Sequence, residues 1–282
     1  MEVRMSRLFA YMGNDQDRVK CALYSARALL VADGAAQKMY DGWGLGFYQG
    51  GEVLLQRRPK PPADPVDFYA LARELRTDAI IGHVRAGTVG KPKNENTHPF
   101  RFRSWLFAHH GTVPNFEHVR EELLQAMPDF LRRNVRGQTD SEHLFHALLG
   151  FLHQSGKLDD INVSTTLVRD AIASTLALVE KAAGKEATLE MECALAVTNG
   201  RLLVATRHGA PVYVQQLNGI VDCPLCREPP PRDKRVDHDH LRSVLVVAAL
   251  EEAPPADLKF QTVPPASAVL VSHDLKLEIA AL

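Results

Sequence analysis

Cysteine is scarce in this sequence: there are four among 282 residues, two of them in Cys223-Pro224-Leu225-Cys226. So few thiols do not make the framework of a disulfide-stapled secreted domain. No apolar run approaches the ~20 residues that cross a bilayer as a helix. The first residues lack the basic, apolar and small-residue succession of a signal peptide. Neither charge is in excess, since 33 lysines and arginines stand against 34 aspartates and glutamates, a net charge of −1. That balance leaves no whole-chain electrostatic case for a nucleic-acid or membrane partner. The glycine-rich Tyr40-Asp41-Gly42-Trp43-Gly44-Leu45-Gly46 is not a phosphate loop, because it lacks the lysine and the spacing. Nucleotide, flavin and pyridoxal motifs are missing as well. The expectation left is a cytoplasmic protein with 45% hydrophobic residues, enough for a sizeable core.

The pattern of those apolar residues predicts mixed secondary structure. Residues 6–13 read as a short strand closed by a Gly-Asn-Asp turn. Over 15–35 the three- and four-residue spacing of Val19, Ala22, Leu23, Ala26, Leu29 and Leu30 predicts a helix capped by Asn14 or Asp15. A hairpin turns at Gly50-Gly51, 58–65 is a proline-rich loop, and 67–76 is a short helix. Helices are expected at 116–127, ended by Pro128, at 142–154 and at 165–181. On the second of these, His143 and His146 sit three apart; no carboxylate motif accompanies them, which favours helix packing over a metal pair. The last third turns β-rich, with strands at 193–198, 201–207, 212–215, 241–250 and 268–272 and an Asn199-Gly200 turn between the first two. No repeat or low-complexity linker divides the chain, so the expectation is one domain over 1–282 with a β-rich C-terminal extension at 216–282.

Chemistry concentrates around Ile81-Gly82-His83-Val84-Arg85-Ala86-Gly87-Thr88. There an apolar run ends in a cation and a hydroxyl. A second run, Ser104 to Ala108, ends in His109-His110-Gly111. Strands that deliver polar groups at their ends build a binding floor, and the planar fork of Arg85 suits a carboxylate. The alternative is a pair of edge strands with solvated ends. His83 and His98 read as hydrogen-bonded structural residues rather than acid–base catalysts.

Six segments in order carry a resemblance: Ser6-Arg7-Leu8-Phe9-Ala10, Asp41-Gly42-Trp43-Gly44-Leu45-Gly46-Phe47, His83-Val84-Arg85-Ala86-Gly87-Thr88, Asn96-Thr97-His98-Pro99-Phe100, Ala108-His109-His110-Gly111 and Thr139-Asp140-Ser141-Glu142. Together they resemble the class II glutamine amidotransferases, N-terminal-nucleophile hydrolases, and among them the stand-alone members. The resemblance covers roughly residues 5–215. It implies an α+β fold, a four-layer αββα sandwich of two facing antiparallel sheets with the active site at one edge. It also implies hydrolysis of a glutamine side-chain amide, the nucleophile's own α-amine serving as base. Carried over residue by residue, it puts Arg85 and Thr88 on the substrate α-carboxylate and Asp140 on its α-ammonium. His110 and Gly111 fall in the oxyanion turn. The catalytic chemistry requires no cofactor. Glutamine or a γ-glutamyl compound is the expected substrate, and any ammonia acceptor is a partner protein or small molecule supplied from outside.

Three departures from the family pattern fall at the chemistry. Ser6 stands where the family has a cysteine, five residues precede it, and His110 replaces the oxyanion asparagine. A hydroxyl depends on its base more than a thiol does. A start at Met5 followed by methionine removal would expose Ser6, whereas retention of Met1 to Met5 would acylate the base. A neutral His110 can donate one hydrogen bond, and a protonated one would hold an oxyanion more strongly. The two readings are therefore an amidase acting through Ser6 and a catalytically silent member that binds an amino-acid-like ligand or a partner. Outside the resemblance, Cys223, Cys226, His238 and His240 offer four ligands for a structural zinc, with a redox pair or solvated loop as alternatives.

Overall fold

The computed structural model describes residues 7–32, 40–60, 65–86, 90–189, 191–226 and 236–282. β1 (Arg7–Gly13) leads through α1 (Val19–Leu23) and a 3-10 turn at Arg27–Leu30 to the short β2 (Val31–Ala32). Next come β3 (Gly42–Gln49), β4 (Glu52–Arg58), β5 (Val66–Asp67), α2 (Phe68–Ala72) and β6 (Ala79–Arg85). A 3-10 turn at Asn94–Asn96 precedes β7 (Phe100–Phe102) and β8 (Trp105–Gly111). The helices α3 (Phe116–Ala126), α4 (Asp129–Arg132), α5 (Asp140–Gln154), α6 (Thr165–Ala183) and α7 (Lys185–Leu189) follow in succession. The chain finishes with β9 (Cys193–Thr198), β10 (Leu203–His208), β11 (Val212–Ile220), β12 (His238–Ala248), a 3-10 turn at Ala256–Leu258, β13 (Gln261–Thr262), β14 (Ser267–Val271) and β15 (Leu277–Ala281).

Among the described residues the strands form a seven-stranded sheet, β13-β11-β12-β1-β6-β3-β4, a six-stranded sheet, β15-β14-β10-β9-β8-β7, and the pair β2-β5. Strand alternation explains the layers. In β1, Leu8, Ala10 and Met12 face one way and pack with Ile81, Val244, Val246, Leu106, Ala108, Ala194 and Ala205, the core between the sheets. Phe9 and Tyr11 face the other way, against Val19 and Leu23 of α1 and Phe68 of α2. On the second sheet Phe107, Leu195, Val197 and Val204 meet Val119, Leu144, Phe145, Leu148, Val168 and Ile172 of α3, α5 and α6. Three apolar seams thus separate four layers, the αββα sandwich expected.

Several local expectations shift. Of the expected helix over 15–35, residues 33–35 lie outside the described residues and 15–32 do not make one helix. There α1 and the 3-10 turn are separate short pieces, though Val19, Ala22, Leu23, Ala26 and Leu30 are all buried as the spacing requires. Neither Asn14 nor Asp15 caps it. Asn14 bonds across to β12, donating to the His240 carbonyl at 2.8 Å and accepting from the Arg242 N–H at 2.8 Å. The alternative of two edge strands fails, because β6 lies between β1 and β3 and β8 between β9 and β7. The strands of 216–282, expected as an extension, belong to the two main sheets: β12 pairs with both β11 and β1 and β14 lies between β10 and β15, while β13 and β15 form one edge of each sheet. Among the described residues, no helix is long and apolar enough to cross a membrane.

Candidate active site

The central strand β6 carries Arg85 at its end, where its Cα is paired with Gly42 of β3. Arg85 is 4% exposed and its guanidinium forms an ion pair with Asp41. Its second terminal nitrogen donates to the Gly90 carbonyl at 2.8 Å. The Asp41 N–H donates back to the Arg85 carbonyl at 3.0 Å, so side chain and backbone pin the same two residues. Gly44, two residues after Gly42, is required by close approach: a Cβ there would stand 2.1 Å from the His98 carbonyl. The segment around His98 therefore lies directly on β3.

At the end of β8, alternation sends its two histidines apart. His109 turns to the helical layer, its Nδ1 2.9 Å from Ser141 Oγ. His110 shares the face of Ala108, between the sheets, and burial pushes its pKa down to about 4, with His109 adding to the effect. The imidazole is neutral at ordinary pH, so the protonated oxyanion donor considered from the sequence is not the resting form. Gly111 has φ of +134° and a Cβ on it would meet the Glu192 carbonyl at 1.9 Å, so only glycine fits this turn.

Asp140 opens α5, one residue after the cap Thr139, whose Oγ1 accepts from the Glu142 N–H at 3.2 Å. The helix begins two residues before the expected 142, which puts Asp140 inside its first turn. Its carboxylate is buried, at 3% exposure, and accepts from the Val113 N–H at 2.8 Å, the Ser141 N–H at 2.8 Å and Ser141 Oγ at 3.2 Å. Val113 lies just beyond Gly111, so Asp140 ties the Gly111 turn to the helix. Asn96 completes the frame. It accepts from the Gln138 N–H at 2.8 Å and donates to the Lys91 carbonyl at 2.8 Å. Gly90, which receives Arg85, lies against both Asn96 and Thr139.

Four of the six residues expected from the sequence, Arg85, His110, Gly111 and Asp140, are therefore linked through one loop at one end of the sandwich. Ser6 and Thr88 lie outside the described residues; β1 opens at Arg7, paired with Val84 beside Arg85. His83 and His98 are buried with ring centroids 4.1 Å apart and the rings tilted by 44°, His98 standing edge-on to Phe100 at 4.7 Å. Burial, together with His110, His109 and Arg85, drives the His83 pKa well below its ordinary value. The expected hydrogen-bonded role is not what holds His98, whose ring nitrogens have no partner among the described residues. Asp41, Asn96 and Ser141 had no role assigned from the sequence, although all three stood in the quoted segments. A cavity of about 650 Å³ lined by Arg57, Arg101, Arg136 and Glu142 opens beside this region, but Arg85, His110, Gly111 and Asp140 do not line it.

Residues 5–225 match the family model for glutamine amidotransferases class-II. The chain belongs to this family. A probable glutamine amidotransferase of Saccharomyces cerevisiae, DUG3, is 30% identical over 182 residues, covering 60% of this chain and 51% of that protein. A γ-glutamyl-hercynylcysteine sulfoxide hydrolase of Mycobacterium tuberculosis is 40% identical over 74 residues, covering 26% of this chain and 32% of that one. The chain spans about half or less of these curated relatives. Among solved structures, a glutamine aminotransferase class-II domain protein from Silicibacter pomeroyi superposes with a TM-score of 0.58 at 19% identity, covering 98% of each chain. At that identity the likeness shows the fold: the N-terminal-nucleophile sandwich of glutamine amidotransferases.

A second polar cluster lies away from this edge. Cys21 of α1, Cys223 and Cys226 of the β11–β12 connection, and His238 at the start of β12 have donor atoms all within 4.8 Å of one another. His240, expected as the fourth ligand, is instead 66% exposed with Nε2 3.1 Å from Asp15 Oδ2. Two residues along a strand is a displacement of about 6.6 Å, which carries it past the cysteines. Cys21, far away in sequence, stands in its place. His143 and His146 pack as helix residues, their Nδ1 atoms 2.8 Å and 2.9 Å from the carbonyls of Thr139 and Glu142.

Proposed function

We propose that this chain hydrolyses the side-chain amide of glutamine or the γ-amide of a γ-glutamyl compound, through an ester on Ser6. The observation that carries the reading is a buried arginine and a buried aspartate tied into one network: Arg85 donates to the Gly90 carbonyl, Gly90 lies against Asn96 and Thr139, and Asp140, next to Thr139, holds Val113 just beyond Gly111. A cation and an anion at two sides of one site are what an amino-acid zwitterion needs. Asp140 has about four acceptor sites, and three in-chain contacts leave about one for the substrate ammonium. Arg85 reads the α-carboxylate beside Asp41.

In the reaction, Ser6 Oγ attacks the amide carbon while the α-amine of the same residue takes its proton. The Gly111 N–H and the neutral His110 ring hold the oxyanion. The amine returns the proton to the leaving nitrogen, ammonia or a larger amine departs, and water hydrolyses the ester. All of this requires Ser6 to be the amino terminus. The likeness to the mycobacterial γ-glutamyl-hercynylcysteine sulfoxide hydrolase favours a leaving group larger than ammonia. An ammonia acceptor, where one is used, is another protein or a small molecule.

A second reading, a silent ligand-binding member, draws on the same contacts: Asp41 already pairs with Arg85, and the backbone already serves Asp140. Ammonia release from glutamine and from γ-glutamyl amides separates the two. A chain beginning at Ser6 should turn over, Ser6→Ala should not, and Ser6→Cys should be at least about tenfold faster because a thiolate is the stronger nucleophile. Glutamine binding without turnover, in the unaltered chain and in the Ser6→Cys variant alike, would establish the silent reading instead.

A further inference from the structure

The amidase reading leaves the cysteine cluster unused. Its local geometry begins where β11 runs out. Pairing with β12 becomes irregular between Asn218 and Ile220, and Gly219 takes φ of +77°. The two chain segments are then clasped: the Asp222 N–H donates to the Asp237 carboxylate at 2.6 Å and the Cys223 N–H to the Val236 carbonyl at 2.9 Å. The Cys226 N–H donates to the Cys223 carbonyl at 3.3 Å, closing the Cys-Pro-Leu-Cys turn with both thiols on one side. His238 follows at the first position of β12, and α1 lays Cys21 over the group.

The donors meet at metal-site distances. Cys21 Sγ and Cys226 Sγ are 3.5 Å apart and all four donor atoms lie within 4.8 Å. A tetrahedral zinc with Zn–S of about 2.3 Å requires ligand separations of about 3.8 Å. Cys21, Cys223 and His238 are buried, at 3%, 1% and 3% exposure. The His238 Nε2 is buried with no hydrogen-bond partner among the described residues, a costly state for an imidazole nitrogen unless something else takes its lone pair. Three thiolates and a neutral imidazole around a dication leave one net negative charge. The Arg18 guanidinium, 3.7 Å from Cys226 Sγ, sits where it offsets that charge.

We propose that Cys21, Cys223, Cys226 and His238 hold a structural zinc ion. Four protein ligands close the tetrahedron, so the ion has no open position for substrate. It fastens α1, which directly follows β1, to the β11–β12 hairpin, joining segments 205 residues apart in sequence on the outer face of the first sheet.

The test is metal content. The full chain, expressed in zinc-supplemented medium and purified under reductant without chelator, should carry close to one zinc per chain. Cys21→Ser and His238→Ala should lose most of it, whereas His240→Ala should keep it. Cobalt substitution of the wild-type chain should give intense tetrahedral d–d bands with thiolate charge transfer. Stripping the metal should lower the melting temperature by roughly 5 °C or more. The cobalt spectrum and the His240→Ala chain keep the test decisive where a ligand variant does not fold. Zinc-free wild-type chain with four alkylatable thiols, a Cys21–Cys226 disulfide in the purified protein, or zinc lost from His240→Ala but kept by Cys21→Ser would each overturn the proposal.

Discussion

Arg85 was legible in the sequence because an arginine ending an apolar run is unusual; its partner was not, because Asp41 is 44 residues away and only the β3–β6 register brings them together. The ion pair is nearly buried on the arginine side, so removing one partner strands the other. Arg85→Met should destabilise the chain by about 3 kcal/mol, and Asp41→Asn in the same chain should recover part of that loss, a coupling measurable by denaturant unfolding of the double-mutant cycle. Arg85→Lys keeps the charge but loses the fork, and kcat/KM for glutamine should fall by about 10²-fold or more. Gly111 was legible as a turn residue, but its necessity was not: the carbonyl of Glu192 fills the space a side chain would take. Gly111→Ala should cost at least about 2 kcal/mol and show as a lowered melting temperature.

Elements were legible where periodicity and burial agreed. β1, the Gly50-Gly51 hairpin, α3, α6 and β9 fall within a few residues of expectation: α3 and α6 each turn one apolar face to the core, and β1 and β9 are short apolar runs buried on both faces between two layers. The pattern over 15–35 was genuine but misleading. Its apolar residues are all wanted by the core, yet Asn14 and Asp15, the presumed caps, are drawn to β12 by tertiary bonds. The start of α5 was missed by two residues because Thr139, not a residue near Glu142, supplies the cap. That placement sets the direction of Asp140. Thr139→Ala should cost about 1 kcal/mol in unfolding experiments and, on the proposed reading of Asp140 as the ammonium's partner, raise KM more than it lowers kcat, because it loosens that carboxylate without touching the proposed nucleophile.

For the whole molecule, fold class came from ordered motifs, while strand order came only with the structure, because apolar alternation names the faces of a strand and not its neighbours. One consequence of the closed sandwich is acid sensitivity. Burial holds His110 and His146 at about 4, and it lowers His83, His98, His109 and His143 as well. An unfolded histidine takes its proton near ~6.5 and these native ones only lower, so the unfolded state binds more protons in between. Stability should therefore be full above about pH 6.5 and fall steadily towards pH 4, His110 and His146 each accounting for up to about 3 kcal/mol. Urea midpoints taken across that range read the slope, and His146→Leu should flatten it. The central claim, hydrolysis through an amino-terminal serine, is tested most directly by mass spectrometry of the amino-terminal peptide after exposure of the untagged protein to an electrophilic glutamine analogue. A peptide beginning at Ser6 and carrying one adduct on that residue is the predicted result. An unlabelled peptide that still carries Met1 to Met5 would contradict it.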